Sequence, residues 1–555
     1  MQRFLSTILL FVTMSVFALA AESAPPSAAP TDDHGDPVLK AMIAELKRSQ
    51  EKLQLGQLQR PYYIEYQVSE LEDQTADATL GALRSDQVNA GRLVRVVVRI
   101  GDYKQDSYFG SGTGAVEMMP TDDQELALRR QLWLATDKAY KAALTGFTEK
   151  EAALKNVETE TDLVDFSQEK PSQSVGDLAR SSVDMEKWKQ MLRSTSDIFR
   201  SDASLESSNA FLSFRVLNRY YVNTEGTITR SGKAVYSYAF SGTGQADDGM
   251  WIERSHGWVV TRPDELPKPN EIQKEAKQLI GTFKALEKAP LVEDDYRGPV
   301  LFSADAATSM FERLIVPNIL GIRPDLGNPA RTNGEFASYY KGRVLPDMFT
   351  VVDDPKAKEI DHQTLAGNYD VDDEGVEAQK VTVIDKGILT NYLLGREPIR
   401  DFPHSNGHGR TALGGAPRPS ISNLIFKAAN GASFEELKKK LIDMCKDQGR
   451  PYGYYVETTG PQLSPRLLWR VYVNDGHMEL VRGAIFKQLD TRALRSDIVA
   501  AGNDTYVYNR TEPLPSAIVS PSVLFGELEI QRANHTREKL PQYPAPALST
   551  VTASN

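Results

Sequence analysis

The sequence predicts an α+β protein: an N-terminal α/β domain with a mixed sheet and long helices, then a β-rich C-terminal domain. Three observations carry this. At 555 residues the chain is too long for one core, and length sets roughly two to four domains. The first half alternates amphipathic helical runs with strand-like runs. Near residue 290 the pattern changes to β-rich runs broken by glycine turns.

The elements follow in order. Residues 1–20 read as a signal peptide: Arg3 is the basic end, "FLSTILLFVTMSVFALA" the apolar run, and Ala18-Leu19-Ala20 the small-x-small cleavage site. The alternative is an uncleaved anchor, for which about 17 apolar residues is the short limit. A Pro/Ala/Asp linker covers 21–35. The N-terminal domain, 36–290, opens on a helix with Val38, Leu39, Met42, Ile43, Leu46 and Leu53 on its apolar face. "RPYYIEYQVSE" and "RLVRVVVRIGDY" alternate as strands do. A long helix is expected from about Asp123 to Val157 and another in "VDMEKWKQMLRSTSDIF". Strands follow over 208–244, then the charged helix "NEIQKEAKQLIGTFKALEKA".

The C-terminal domain, 291–540, begins with "SADAATSMFERLIVPN". Ala307, Met310, Phe311, Leu314 and Ile315 mark one helix face, Ser303 can cap the start, and Pro317 marks the stop. "DKG" at 385–387 and "NDG" at 474–476 each separate two β-rich runs and predict hairpins. No later run is long and apolar enough to span a membrane. Residues 541–555 read as a disordered tail.

Composition excludes several functions. With a net charge of −11 and no basic run, nucleic acid is not an expected partner. The one cysteine, Cys445, rules out an intramolecular disulfide and reads as a buried helix residue. There is no Walker loop, GxSxG elbow or HExxH. Among seven histidines only His404 and His408 are close, in "PHSNGHGR", a loop that either binds metal or lets backbone approach closely. "NYDVDDEGVEAQ" groups Asp370, Asp372, Asp373 and Glu374, either a calcium-type oxygen cluster or a solvated acidic turn. Read from the residues alone, the chemistry stays open.

The order of several stretches resembles the TldD/PmbA family, the modulator-of-gyrase proteins related to metallopeptidases. These are "RYYVNTEG", "GPVLFSADAATSMFERLI", "VVDDP", "NYDVDDEGVEAQKVTVIDKGILTNYLLGREPIR", "SNGHGRTALGGAPRPSISNLIF" and "VYVNDGHMELVRGAIF", over roughly residues 210–530. The resemblance implies a barrel-like, peptidase-like C-terminal domain. The family's catalytic branch carries HExxxH on the helix after Ser303, its histidines holding zinc and its glutamate acting as base. Here those histidine positions are Phe311 and Val316, and only the base position, Glu312, keeps its residue. No cysteine follows Cys445 to supply the later ligand. The chain is thus closer to the PmbA/TldE-like branch, which lacks the zinc motif.

The signal peptide implies export, and the resemblance implies a metallopeptidase-like subunit with no zinc of its own. It would act as a homodimer or a heterodimer with a zinc-bearing TldD-like chain, on peptide or unfolded protein. Substrate contacts fall on the acidic turn, Asp372, Asp373 and Glu374, and on the glycine-rich loop, Asn406, Gly407, His408, Gly409 and Arg410. Two alternatives remain at this point: a non-enzymatic peptide-binding scaffold of the cell envelope, or a hydrolase with a relocated metal site at His404 and His408.

Overall fold

The structure is a computed structural model and describes residues 32–157 and 163–534. The expected signal peptide, most of the linker and the C-terminal tail lie outside the described residues.

In the N-terminal half, α1 (Pro37–Lys52) precedes β1 (Tyr63–Thr79), β2 (Ala82–Arg99), β3 (Ala115–Met119) and α2 (Glu125–Leu154). Then come β4 (Gln173–Val175), α3 (Met185–Ile198), β5 (Leu205–Asn223), β6 (Ile228–Gln245), β7 (Trp251–Val260) and α4 (Pro269–Lys288). The strands form one sheet in the order β3-β2-β1-β5-β6, with β4 and β7 both pairing to β6. Only the β4–β6 pairing is parallel.

Alternation along the long strands sorts this sheet into two faces. Ile64, Tyr66 and Val68 of β1, with Tyr220 and Val222 of β5, pack under α1 and α2. Farther along the same face, Ala76, Ala78, Leu212 and Phe214 pack under α3 and α4. The register pairs Tyr66 with Val222 and Ala76 with Leu212, so these residues share one side. The residues between them, among them Glu65, Gln67, Arg219 and Tyr221, point the other way. That polar face receives the C-terminal half.

The C-terminal half runs β8 (Tyr296–Phe302), α5 (Ala304–Leu314), β9 (Phe349–Asp353), β10 (Glu359–Ile360), β11 (Gln363–Thr364), β12 (Val381–Asp385) and β13 (Ile388–Leu389). It continues with β14 (Gly409–Arg410), β15 (Arg418–Pro419), β16 (Asn423–Ala428), α6 (Phe434–Asp447), β17 (Tyr452–Thr459), β18 (Pro465–Tyr472) and β19 (Met478–Val481). It ends with β20 (Ala484–Phe486), α7 (Thr491–Ser496), β21 (Ile498–Ala501), β22 (Tyr506–Arg510), β23 (Ser516–Ser520) and β24 (Val523–Arg532). One sheet has the order β13-β12-β9-β16-β23-β22 and the other β19-β18-β17-β8-β24-β20, with β21 on β24. Both expected hairpins are present, β12–β13 and β18–β19. The first turns through Lys386 and Gly387, both at positive φ, as a tight two-residue turn requires.

These sheets are open, so the barrel-like expectation takes the form of two stacked layers and not a closed barrel. A core from both sheets encloses α5, including Val300, Phe302, Phe311, Phe349, Phe426 and Phe525. α6 covers the far side of the β8–β17–β18 sheet through Leu437 and Leu441, and Cys445 is buried in it. No helix among the described residues is long and apolar enough to cross a membrane.

Candidate functional site

The helix α5 forms where its apolar period places it. Ser303 caps it, its hydroxyl accepting from Ala306 N at 3.0 Å. A short 3₁₀ turn, Val316–Asn318, ends it at Pro317. Phe311 is fully buried and stacks on Phe426 with ring centroids 4.2 Å apart. Val316 packs against the same core. Glu312 points out of that core and pairs with Arg510 of β22 at 2.6 Å.

These residues do not fit zinc. At the two positions where a peptidase helix would present imidazoles, this chain presents hydrocarbon, and the glutamate's charge is already met by a guanidinium. Among the described residues no group of three or more His, Cys, Asp or Glu is placed to hold a metal ion. The relocated site is corrected on geometry. His404 is exposed and lies 3.6 Å from Glu169, whereas His408 is fully buried, its Nε2 3.1 Å from Asp353. The two rings meet different partners in different surroundings.

The acidic turn and the glycine-rich loop do come together, as one buried network. Asp372 accepts from the backbone N–H groups of Glu374, Val376 and Gly409 at 2.9–3.0 Å. Asp373 pairs with Arg219 of the N-terminal sheet and accepts from Thr411 N at 2.8 Å. Glu374 accepts from Arg396 N at 2.8 Å. Asn406 bridges the loop, accepting from Leu394 N and donating to Tyr392 O, each at 2.8 Å. Arg410 lies over the Tyr369 ring. Gly407 has φ +74°, and a Cβ there would sit 2.4 Å from Glu377 O. At Gly409 a Cβ would sit 1.9 Å from the Glu374 carboxylate. These are close approaches only glycine permits.

Arg396 joins this network to the other half. Its guanidinium donates to both carboxylate oxygens of Glu225 at 2.7 and 2.8 Å and to Ser167 O. It also lies over the Phe166 ring. Burial alone would lower its pKa, but Tyr63 and Glu225 outweigh that and hold it charged. Burial likewise would raise Asp373, but Arg219 and Arg410 bring it below the usual carboxylate range. For Asp372 and Glu374 burial outweighs the backbone N–H donors and, at Glu374, the Arg396 charge, and pushes both upward.

The residues expected to contact substrate, Asp372, Asp373, Glu374, Asn406, Gly407, His408, Gly409 and Arg410, lie together in this network. All but the half-buried Asp373 are buried, and their donors and acceptors are turned on one another and on the N-terminal sheet. This network rivets the two halves together.

The open space lies elsewhere. A cleft of about 890 Å³ separates β7 from β22 and reaches the first turns of α5. Arg254, His256 and Trp258 of β7 line one wall, and Tyr506, Tyr508 and Arg510 of β22 the other. Asp305 and Ser309 of α5, the β10–β11 turn at His362, and Thr458 and Arg466 complete it. Among the described residues β7 pairs only with β6 and β22 only with β23, so each has a free edge there. Asn509 closes one end, donating to Val259 O at 3.1 Å and Thr364 O at 2.8 Å. Sequence reasoning missed this cleft. Its residues come from distant segments, and none carries a local signature.

Comparison with known proteins agrees with this architecture. Residues 295–532 match the family model described as the PmbA/TldA metallopeptidase C-terminal domain. An Archaeoglobus fulgidus protein named "Metalloprotease" is 26% identical over 171 residues, 30% of this chain and 35% of that protein. "Metalloprotease MJ0996" of Methanocaldococcus jannaschii is 38% identical over 96 residues, 17% of this chain and 20% of that protein. The chain thus spans about a third or less of the length of these curated relatives. Among solved structures, TldE from Thermococcus kodakarensis superposes with a TM-score of 0.60 at 13% identity, covering 88% of this chain and 99% of that one. A proposed modulator of DNA gyrase from Thermotoga maritima gives 0.58 at 15%, covering 84% and 96%. At these identities the superpositions show a shared fold.

Proposed function

We propose, on the premise that the chain belongs to the TldD/PmbA metallopeptidase family through residues 295–532, that it is an exported, zinc-site-degenerate subunit that holds extended peptide for a zinc-bearing partner. The observation that carries this reading is α5. The helix keeps the family's place and its glutamate, yet Phe311 is committed to the aromatic core and Glu312 to Arg510. Beside it lies a cleft between two free strand edges, a geometry suited to a peptide that adds its backbone hydrogen bonds to a sheet. The sequence's basic n-region, apolar run and cleavage site support export.

In this reading the chain's own residues bind and orient, and bond cleavage belongs to the zinc-bearing partner. The test is metal analysis of the purified chain, with cleavage of an unstructured peptide measured alone and with a TldD-like partner. The expected result is peptide binding without turnover alone, and turnover when the partner is added. Full peptidase activity from the isolated chain overturns the proposal.

A further inference from the structure

The charged groups around the cleft are nearly all matched. Arg466 pairs with Glu253 at 2.8 Å and Arg510 with Glu312 at 2.6 Å. Glu265 pairs with Arg262 at 2.8 Å, and Glu512 with Arg215. Arg254 and Asp305 are the exceptions: neither has an ion-pair partner among the described residues. For Asp305 the fold supplies a local reason, because it sits in the first turn of α5, where a carboxylate meets the positive end of the helix. Arg254 has no such reason. Its Nη1 donates to the Thr458 hydroxyl at 3.2 Å, and its Nε, shut off from solvent, has no hydrogen-bond partner.

Arg254 is also half-buried, and burial lowers its pKa below the ordinary arginine value, with Glu457 and Asp305 only partly opposing. Arg99, Arg396 and Arg410, each buried against a carboxylate, move the other way. A desolvated guanidinium that lines an open cleft without a counter-ion is a site for one. The planar fork matches a carboxylate in two parallel hydrogen bonds. Its place on β7, whose edge is free, sets it beside any chain that runs along that edge.

We propose that Arg254 is the carboxylate anchor of this cleft. Its ligand is an extended peptide that presents a carboxylate, from its own C-terminus or from an Asp or Glu side chain, between the β7 and β22 edges. This rests on the reading above that the cleft holds peptide. It adds a preference that strand pairing alone does not supply, because backbone pairing is indifferent to side-chain charge. Arg254 sets specificity through charge; it takes no part in bond cleavage.

The test uses the full chain and one unstructured ten-residue peptide made in four forms: internal Asp or Asn, each with a free or amidated C-terminus. Binding is read by fluorescence polarisation. The expected result is at least about tenfold tighter binding of a carboxylate-bearing form than of the Asn amide, the scale of one charge-assisted contact. Which carboxylate gives the gain identifies its source. Arg254→Gln is expected to remove the preference, and Arg254→Lys to keep part of it. Equal wild-type affinity for all four forms overturns the carboxylate anchor and leaves the peptide reading standing. No binding of any form overturns both. A preference that survives in a folded Arg254→Gln protein, checked by its thermal transition, overturns the assignment to Arg254.

Discussion

At Gly409 a single hydrogen is all the space allows, because the Glu374 carboxylate lies where a side chain would begin. The Gly409→Ala variant is expected to lose about 1–3 kcal/mol, the usual cost of overpacking a closed interior, measured by denaturant unfolding. Glu374 itself makes stability pH-dependent. Burial, with the Asp372 charge adding, raises its folded pKa above its ordinary value of 4.5. Between those two values the folded chain holds a proton that the unfolded chain has released. Stability therefore falls as pH rises from about 4.5 toward the raised value. Glu374→Gln keeps an acceptor for Arg396 N and removes the titration. Its stability relative to wild type is expected to rise between pH 5 and pH 8, read from urea midpoints at each pH. A wild-type curve that parallels the variant over that range contradicts this account.

At the scale of the element, α5 combines a core-packed aromatic face with one long-range ion pair. The period of Ala307, Met310, Phe311, Leu314 and Ile315 made the helix legible, and Ser303 and Pro317 marked its ends. The partner of Glu312 was not legible, because Arg510 is almost two hundred positions away. Returning an imidazole with Phe311→His would replace the stack on Phe426 with a polar ring in a dry core. The expected cost is about 3 kcal/mol or more, seen as a lowered denaturation midpoint. Stability unchanged by that substitution would show that the aromatic core does not hold the helix.

Across the whole molecule, the polar side of the N-terminal sheet is the docking face, and Arg396 is its deepest connection. Replacing Arg396 by Leu leaves Glu225 buried without its counter-charge, at an expected cost of about 3–5 kcal/mol. Because the lost contact joins the two halves, calorimetry is expected to show the single transition broadening or splitting. The acidic turn and the glycine-rich loop stood out in the sequence as places where polar groups gather. That they serve the junction between halves follows from burial, which no local pattern encodes.

By itself the sequence determined the local structure: the helices with their caps, the glycine hairpins, the change of character near residue 290, and the absence of imidazole at Phe311 and Val316. Each is written in neighbouring residues, through period, turn chemistry or side-chain type. Only the tertiary structure decided which polar groups are consumed inside and which remain open. Asp373 met Arg219, Glu225 met Arg396 and Glu312 met Arg510, while Arg254 was left facing the cleft without an ion pair among the described residues. Electrostatic pairing and desolvation act through space, over a few ångströms, and the chain positions they join lie too far apart for spacing or composition to record.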